Sequence, residues 1–280
     1  MNLGLKRTIF TFILLAYGTA SAIAQITIAP TNLFIDQRTK FGTYFVVNGS
    51  NVPQEINIDF IFSYSNTNEN GERLIIEDDS AAADLHSAAD WIRAFPRSFQ
   101  LAPGERRVVR LRLTPPGDLD DGMYWARIRT VSTPVSPPVE LQTNNDAVTA
   151  SIGIRLESKT GAYYKQGEVN TGIAVPSLTA AVADDDILEV LANVNRLGNA
   201  PFLGSITANI YDADNSLVKS SFISTTIYFD GYHKQEVDVS DLPAGNYSVE
   251  LMFESRRSDI STSDLVQMET ATNRTSFVKQ

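Results

Sequence analysis

The sequence has no cysteine, only two histidines and a shortage of positive charge: 23 Lys and Arg against 33 Asp and Glu over 280 residues. Without cysteine there is no thiol nucleophile, thiolate zinc site, disulfide or sulfur for N-terminal lipid attachment, so stability must come from buried cores. The formal charge of −10 argues against nucleic acid as a partner, because neutralising phosphates supplies most of that affinity. Long apolar runs are lacking too. Thr8–Tyr17 is apolar but shorter than the ~20 residues that span a bilayer, and later stretches are brief and interrupted. With Lys6 and Arg7 before that run and Ala22-Ile23-Ala24 after it, residues 1–24 read as a removable export signal. The mature chain then starts at Gln25, with 21 basic and 33 acidic residues, a net of −12, and no stable membrane insertion is expected of it.

Helical periodicity is nearly absent from the mature chain. Only Ser80–Ile92 favours helix, through its alanines and Leu85, with Ser80 as the expected cap. Elsewhere short alternating runs dominate. Ile56, Ile58 and Phe60 alternate with Asn57 and Asp59, and Val109, Leu111 and Leu113 alternate with Arg110 and Arg112. Ala102-Pro103-Gly104 and Pro115-Pro116-Gly117 are turn signals. Ile187–Asn195, Ser205–Asp212, Ser221–Phe229, Gln235–Val239 and Tyr247–Phe253 continue the pattern in the second half. Gly122-Met123-Tyr124 and Gly245-Asn246-Tyr247 place Gly two residues before a strand-opening Tyr in each half. The sequence therefore predicts two all-β sandwiches in tandem, with a linker at Ser158–Ala162.

No catalytic motif is present. His86 and His233 have no nucleophile motif nearby and read as solvent-facing. Asp212-Ala213-Asp214-Asn215-Ser216 resembles a calcium loop but lacks its Gly and distant Glu, so a hairpin turn accounts for it better. Asp184–Asp186 reads as a solvated turn. Asn48, Asn246 and Asn273 match the glycosylation sequon, a pattern common by chance.

Val148–Leu156 shows the cleanest alternation. Val148, Ala150, Ile152, Ile154 and Leu156 are apolar, while Thr149, Ser151, Gly153, Arg155 and Glu157 take the other parity. Taken alone it reads as ordinary core. The alternative is an exposed edge, which proteins normally suppress and otherwise use for strand addition to a partner. Arg155 would then be placed to bind a partner's terminal carboxylate.

Several blocks, taken in order, resemble the PapD-like periplasmic pilus-assembly chaperones. They are Ile26-Thr27-Ile28-Ala29-Pro30, then Pro96-x-x-Phe99-x-Leu101-x-Pro103-Gly104, Val108-Val109-Arg110-Leu111 and Asp121-Gly122-x-Tyr124-Trp125-Ala126. The resemblance covers residues 25–156; the second half is similar only in style. It implies two immunoglobulin-like sandwiches in a boomerang-like arrangement, residues 25–158 and 159–280, with a cleft between them. It implies a non-enzymatic, cofactor-free periplasmic chaperone that donates a strand to an incomplete pilin-like β-sandwich subunit, with an outer-membrane usher as a further partner. Val148, Ala150, Ile152 and Ile154 would be donated, Arg155 would grip the subunit's carboxylate, and Asp121 and Lys159 would form an interdomain ion pair. Where the family usually has a second basic cleft residue this sequence has Asn32, which implies a weakened or replaced anchor. The competing expectation is a non-catalytic tandem structural or adhesive module of the cell surface.

Overall fold

The computed structural model describes residues 26–135 and 154–280. The first half of the described chain runs β1 (Ile26–Ala29), β2 (Asn32–Ile35), β3 (Phe41–Asn48), β4 (Gln54–Ile61), β5 (Tyr64–Thr67), β6 (Arg73–Ile76) and helix α1 (Ser80–His86). A single 3-10 turn, Ala89–Trp91, leads to β7 (Ile92–Phe95), β8 (Ser98–Leu101), β9 (Arg106–Leu113), β10 (Gly122–Pro134) and β11 (Leu156–Gln166). The second half comprises β12 (Thr171–Val182), β13 (Ile187–Gly198), β14 (Phe202–Tyr211), β15 (Leu217–Ile227), β16 (Gly231–Asp238), β17 (Gly245–Glu254) and β18 (Ala271–Lys279).

These strands form two sandwiches. The first packs a β1-β3-β9-β7 sheet on a β2-β11-β10-β4-β8 sheet. Its core is built from the alternating residues read in the sequence: Ile56 and Ile58 from β4, Val109, Leu111 and Leu113 from β9, with Tyr44, Ala126, Ile128 and Tyr164. The second packs β12-β13-β16 on β15-β14-β17-β18 around Leu188, Val190, Phe202, Ile206, Val249, Leu251 and Phe253.

The Gly-x-Tyr echo has a structural basis. The Tyr124 hydroxyl donates to the Asp120 carbonyl at 3.0 Å and the Tyr247 hydroxyl to the Pro243 carbonyl at 2.9 Å, each four residues upstream. This is the tyrosine corner of immunoglobulin-like sandwiches, repeated once per unit.

Three local expectations are corrected. The helix stops at His86, and Ile92 opens a strand instead of closing the helix. Its cap is Asp79, whose carboxylate accepts from the Ala82 N–H at 2.9 Å and from the Tyr64 hydroxyl at 2.7 Å; Ser80 is the first helical residue. Ser158–Ala162 is no linker. It lies within β11, which pairs with β10 from Leu156 to Gln166, so the expected boundary after Ser158 cuts a strand of the first sandwich. The chain passes to the second sandwich between Gln166 and Thr171.

A third apolar layer joins the units. Phe62, Tyr64, Met123, Trp125 and Tyr163, on the outer side of the β2-β11-β10-β4-β8 sheet and its extension, pack against Ala200, Leu203, Tyr228, Ile260 and Leu265. The Trp125 ring lies 4.9 Å from Tyr228 and 5.3 Å from Phe62, and the Tyr163 and Tyr228 hydroxyls are 2.8 Å apart. The β5–β6 hairpin reaches over β15 and β16, where Gly71 lies against the stem of Lys234. Among the described residues, no helix is long and apolar enough to cross a membrane.

Candidate functional site

The candidate site comprises an open strand edge and the cleft beside it. On one side β11 pairs with β10 along its full length; on the other it meets β2 in parallel only from Gly161↔Asn32 to Tyr164↔Ile35. Leu156–Thr160 therefore pair with β10 alone among the described residues, leaving an edge whose backbone groups are available for another strand. Immediately before that edge, Ile154 is 55% exposed and Arg155 is exposed. Val148, Ala150 and Ile152 lie outside the described residues. By sequence parity they continue the row of Leu156, Ala162 and Tyr164, of which the last two are buried in the first core.

Asn32 and Arg155 are not brought together. Asn32 is level with Gly161, so Arg155 sits six residues earlier on the same strand line, roughly 20 Å away. Asn32 is instead engaged within the chain. Its side-chain amide donates to Asp259 at 3.1 Å, and Asp259 is held bidentately by Arg257 at 2.8 and 2.6 Å. The Arg257 guanidinium, hydrogen-bonded to Asp259, holds that carboxyl below its usual range, with the Asn32 amide adding to the effect. At the position expected to receive a partner's carboxylate, a carboxylate of the second sandwich is already bound.

The expected Asp121–Lys159 pair is not formed. Gly122 opposes Gln166 whereas Lys159 opposes Arg129, so the two residues stand at opposite ends of the β10–β11 ladder. Lys159 instead bonds Glu77 and lies 3.3 Å from Glu157, while Arg129 makes two 2.7 Å bonds to Asp59 beside it. Besides the Asn32–Asp259 contact, the polar fastening between the sandwiches centres on the uncharged Asn199. Its amide donates to the carbonyls of Asp121 at 3.0 Å and Glu168 at 2.9 Å, its side-chain oxygen accepts from Asn170 N–H at 2.9 Å, and its carbonyl accepts from Met123 N–H at 3.1 Å.

Sequence reasoning missed the basic residues that do face the cleft. Lys165, on β11, lines a cavity of about 270 Å³ with Phe34, Asp36, Gly167, Ser263 and Asp264. Burial pushes its ammonium pKa down, opposed by nearby Asp264, and it lies 5.5 Å from the Phe34 ring. Arg127 lies 5.1 Å from the Tyr228 ring in the interdomain layer. Both share the outward parity of Trp125 and Tyr163, a signal readable only once β10 and β11 are known to turn that side toward a second domain.

Neither histidine is solvent-facing. His86 is half-buried, stacked 5.1 Å from Trp125 and tilted against Phe229 at 5.5 Å. His233 is buried, and its Nε2 has no hydrogen-bond partner within the described structure. It lines a cavity of about 140 Å³ beneath the β5–β6 hairpin, alongside Arg73 and Ser65. Asp212 closes the β14–β15 turn by accepting from Asp214 and Ser216 N–H groups at 3.0 and 2.8 Å. Among the described residues, no group of three or more His, Asp or Glu is placed to hold a metal ion.

No family model matches the sequence, and no curated protein matches it. Solved structures do superpose over most of the chain. The E. coli chaperone DraB is 12% identical with a TM-score of 0.41, covering 92% of this chain and 96% of that one. The CsuC–CsuE chaperone-tip adhesion subunit complex of Acinetobacter baumannii is 11% identical with a TM-score of 0.43, covering 91% and 98%. The Salmonella enterica SafA pilin–SafB chaperone complex is 12% identical with a TM-score of 0.42, covering 91% and 98%. At such distances the assignment of two immunoglobulin-like sandwiches rests on this chain's own strand order, its paired cores and its two tyrosine corners.

Proposed function

We propose that this protein is a periplasmic chaperone that completes an unfinished β-sandwich subunit by lending it a strand. The observation that carries the reading is the open edge of β11 at Leu156–Thr160, continued in sequence by the alternating row Val148, Ala150, Ile152 and Ile154. Backbone hydrogen bonds along such an edge supply affinity, and alternate side chains entering the client's core supply specificity. Apolar burial of about 25 cal/mol per Å², less the cost of ordering the strand, drives the exchange without a cofactor or bond-breaking chemistry.

The client's terminal carboxylate has two basic groups to meet. Arg155 lies beside the donated row, and Arg257 lies in the cleft at Asn32. If the cleft is used, the client's carboxylate replaces Asp259 on Arg257. Transfer of the client to an outer-membrane usher belongs to the same proposal. The test is capture of a client from periplasmic extract by wild type, Ile152→Asp, Arg155→Ala and Arg257→Ala. A small β-rich partner lost with Ile152→Asp establishes strand donation, and whichever arginine variant weakens capture identifies the anchor. Unchanged capture with Ile152→Asp, or no partner for a folded wild type, refutes strand donation and leaves a tandem surface module.

A further inference from the structure

The outward face of the β1-β3-β9-β7 sheet carries a charge pattern opposite to that of the whole chain. No Asp or Glu occurs in any of its four strands. Register sets Phe41 opposite Arg112, Thr43 opposite Arg110, Phe45 opposite Val108 and Val47 opposite Arg106. On the next strand Arg93 opposes Arg112 and Phe95 opposes Arg110. The inward partners Tyr44, Val46, Val109 and Leu111 fill the core, so these residues point away from it. Phe41 and Phe95 are each 58% exposed and Val108 is 46% exposed. Arg93, Arg106, Arg110 and Arg112 are exposed and form no ion pair among the described residues. Arg106 sits 3.7 Å over the Phe45 ring, and Arg93 bonds only the carbonyls of Asp90 and Ile92. The nearby carboxylates are Asp90 before β7, Asp36 before β3 beside Arg38, Glu105 before β9, which pairs with Arg107, and Asp59 of β4, which lines a cavity with Arg93 and Phe95 and is held by Arg129.

This face lies on the far side of the first sandwich from the interdomain layer, which covers the other sheet. Residues 167–280 hold seven Lys and Arg against sixteen Asp and Glu, a net of −9. Asp184, Asp185, Asp186, Asp212, Asp214 and Asp241 cluster in the turns at the end of that sandwich opposite Asn199. Strands of this length separate the acidic end from the junction by roughly 40 Å, several Debye lengths at physiological salt.

From this arrangement we propose that the face docks peripherally on an anionic phospholipid bilayer. Arginine forks match phosphate oxygens, while the interleaved phenylalanines enter the apolar boundary below the headgroups. Apart from a cavity of about 590 Å³ at its β7 edge, lined by Arg93 and Phe95 with Asp59 and Asp90, the sheet face suits a plane. A plane also meets this face alone and leaves the acidic end in solution, whereas a flexible polyanion wrapping the molecule meets its net negative charge. The proposal is independent of strand donation.

The test is co-sedimentation of the mature protein with phosphatidylcholine vesicles, with and without phosphatidylglycerol, over a salt series. Binding is expected only with phosphatidylglycerol and to weaken as salt rises. Arg110→Glu with Arg112→Glu should cut it at least about tenfold, as expected for surface cations near an anionic leaflet. Arg110→Lys with Arg112→Lys should retain most of it, and Phe41→Ser with Phe95→Ser should weaken what survives at higher salt. Circular dichroism and melting of each variant confirm that the sandwiches are intact. Equal binding to pure phosphatidylcholine, binding indifferent to charge reversal, or heparin binding through these arginines without vesicle binding overturns the proposal.

Discussion

His233 and Asp259 lose stabilising power in the same direction of pH for different reasons. Burial lowers the His233 pKa from 6.5 to about 4, so its imidazole stays neutral in the fold while the unfolded chain takes up a proton. The unfolded state binds more protons across that window, and stability therefore falls as pH drops from 6.5 toward 4, by about 3 kcal/mol at most. In melting curves over this range wild type should lose stability relative to His233→Phe as pH falls, because the variant lacks that slope. Asp259 has a depressed carboxyl pKa through Arg257. Its contribution is present above the unfolded aspartate value of 3.8 and fades as pH falls through the folded one. Arg257→Ala should remove this acid-side component from the pH dependence of unfolding. Tyr247→Phe deletes the corner hydrogen bond to Pro243 and should lower stability by about 1 kcal/mol, read as a shift in urea midpoint. The repeated Tyr was legible because the corner bond needs a hydroxyl four residues after its carbonyl acceptor, a fixed local spacing. Asn32 was legible only as a departure, since its partner Asp259 is 227 residues away.

At the scale of elements, strands with one buried face announced themselves and strands at the margins did not. β9 alternates Arg with Val and Leu because one side meets the core and the other water. β12 and β18 escaped the sequence reading. β12, with the sequence TGIAVPSLTAAV, is half-exposed along most of its length and slips register between Ala174 and Ser177, which breaks the period of two. β18 buries only Phe277 and Lys279. The misplaced linker has a related cause: Ser158–Thr160 is polar because β11 there is an edge, and an edge reads like a loop, while the small Gly161 and Ala162 that follow are paired with β2. Turn geometry behaves more transparently. Gly198 ends β13 at φ 83°, and an added Cβ would meet the Asn170 side-chain oxygen at 2.2 Å. Gly198→Ala should therefore cost more than about 1 kcal/mol, visible as a lowered melting temperature.

For the molecule as a whole, the interdomain layer decides whether the halves behave as one body. Trp125 touches Phe62, Tyr228, Phe229 and His86 from one position in β10. Trp125→Ala removes that hub at a cost of about 3–5 kcal/mol, and calorimetry should then resolve two unfolding transitions where wild type shows one. None of this layer was legible as an interface. Its aromatics obey the same alternation as core residues, and only the tertiary arrangement separates inner parity from outer. Asn199 gives the joint its mechanical character. One residue accepts or donates five hydrogen bonds to Asp121, Met123, Glu168 and Asn170. A change of angle between the sandwiches cannot be shared out as small stretches, because directional bonds weaken steeply when bent. The joint therefore works as a detent, holding one setting firmly and yielding only when the whole set lets go together.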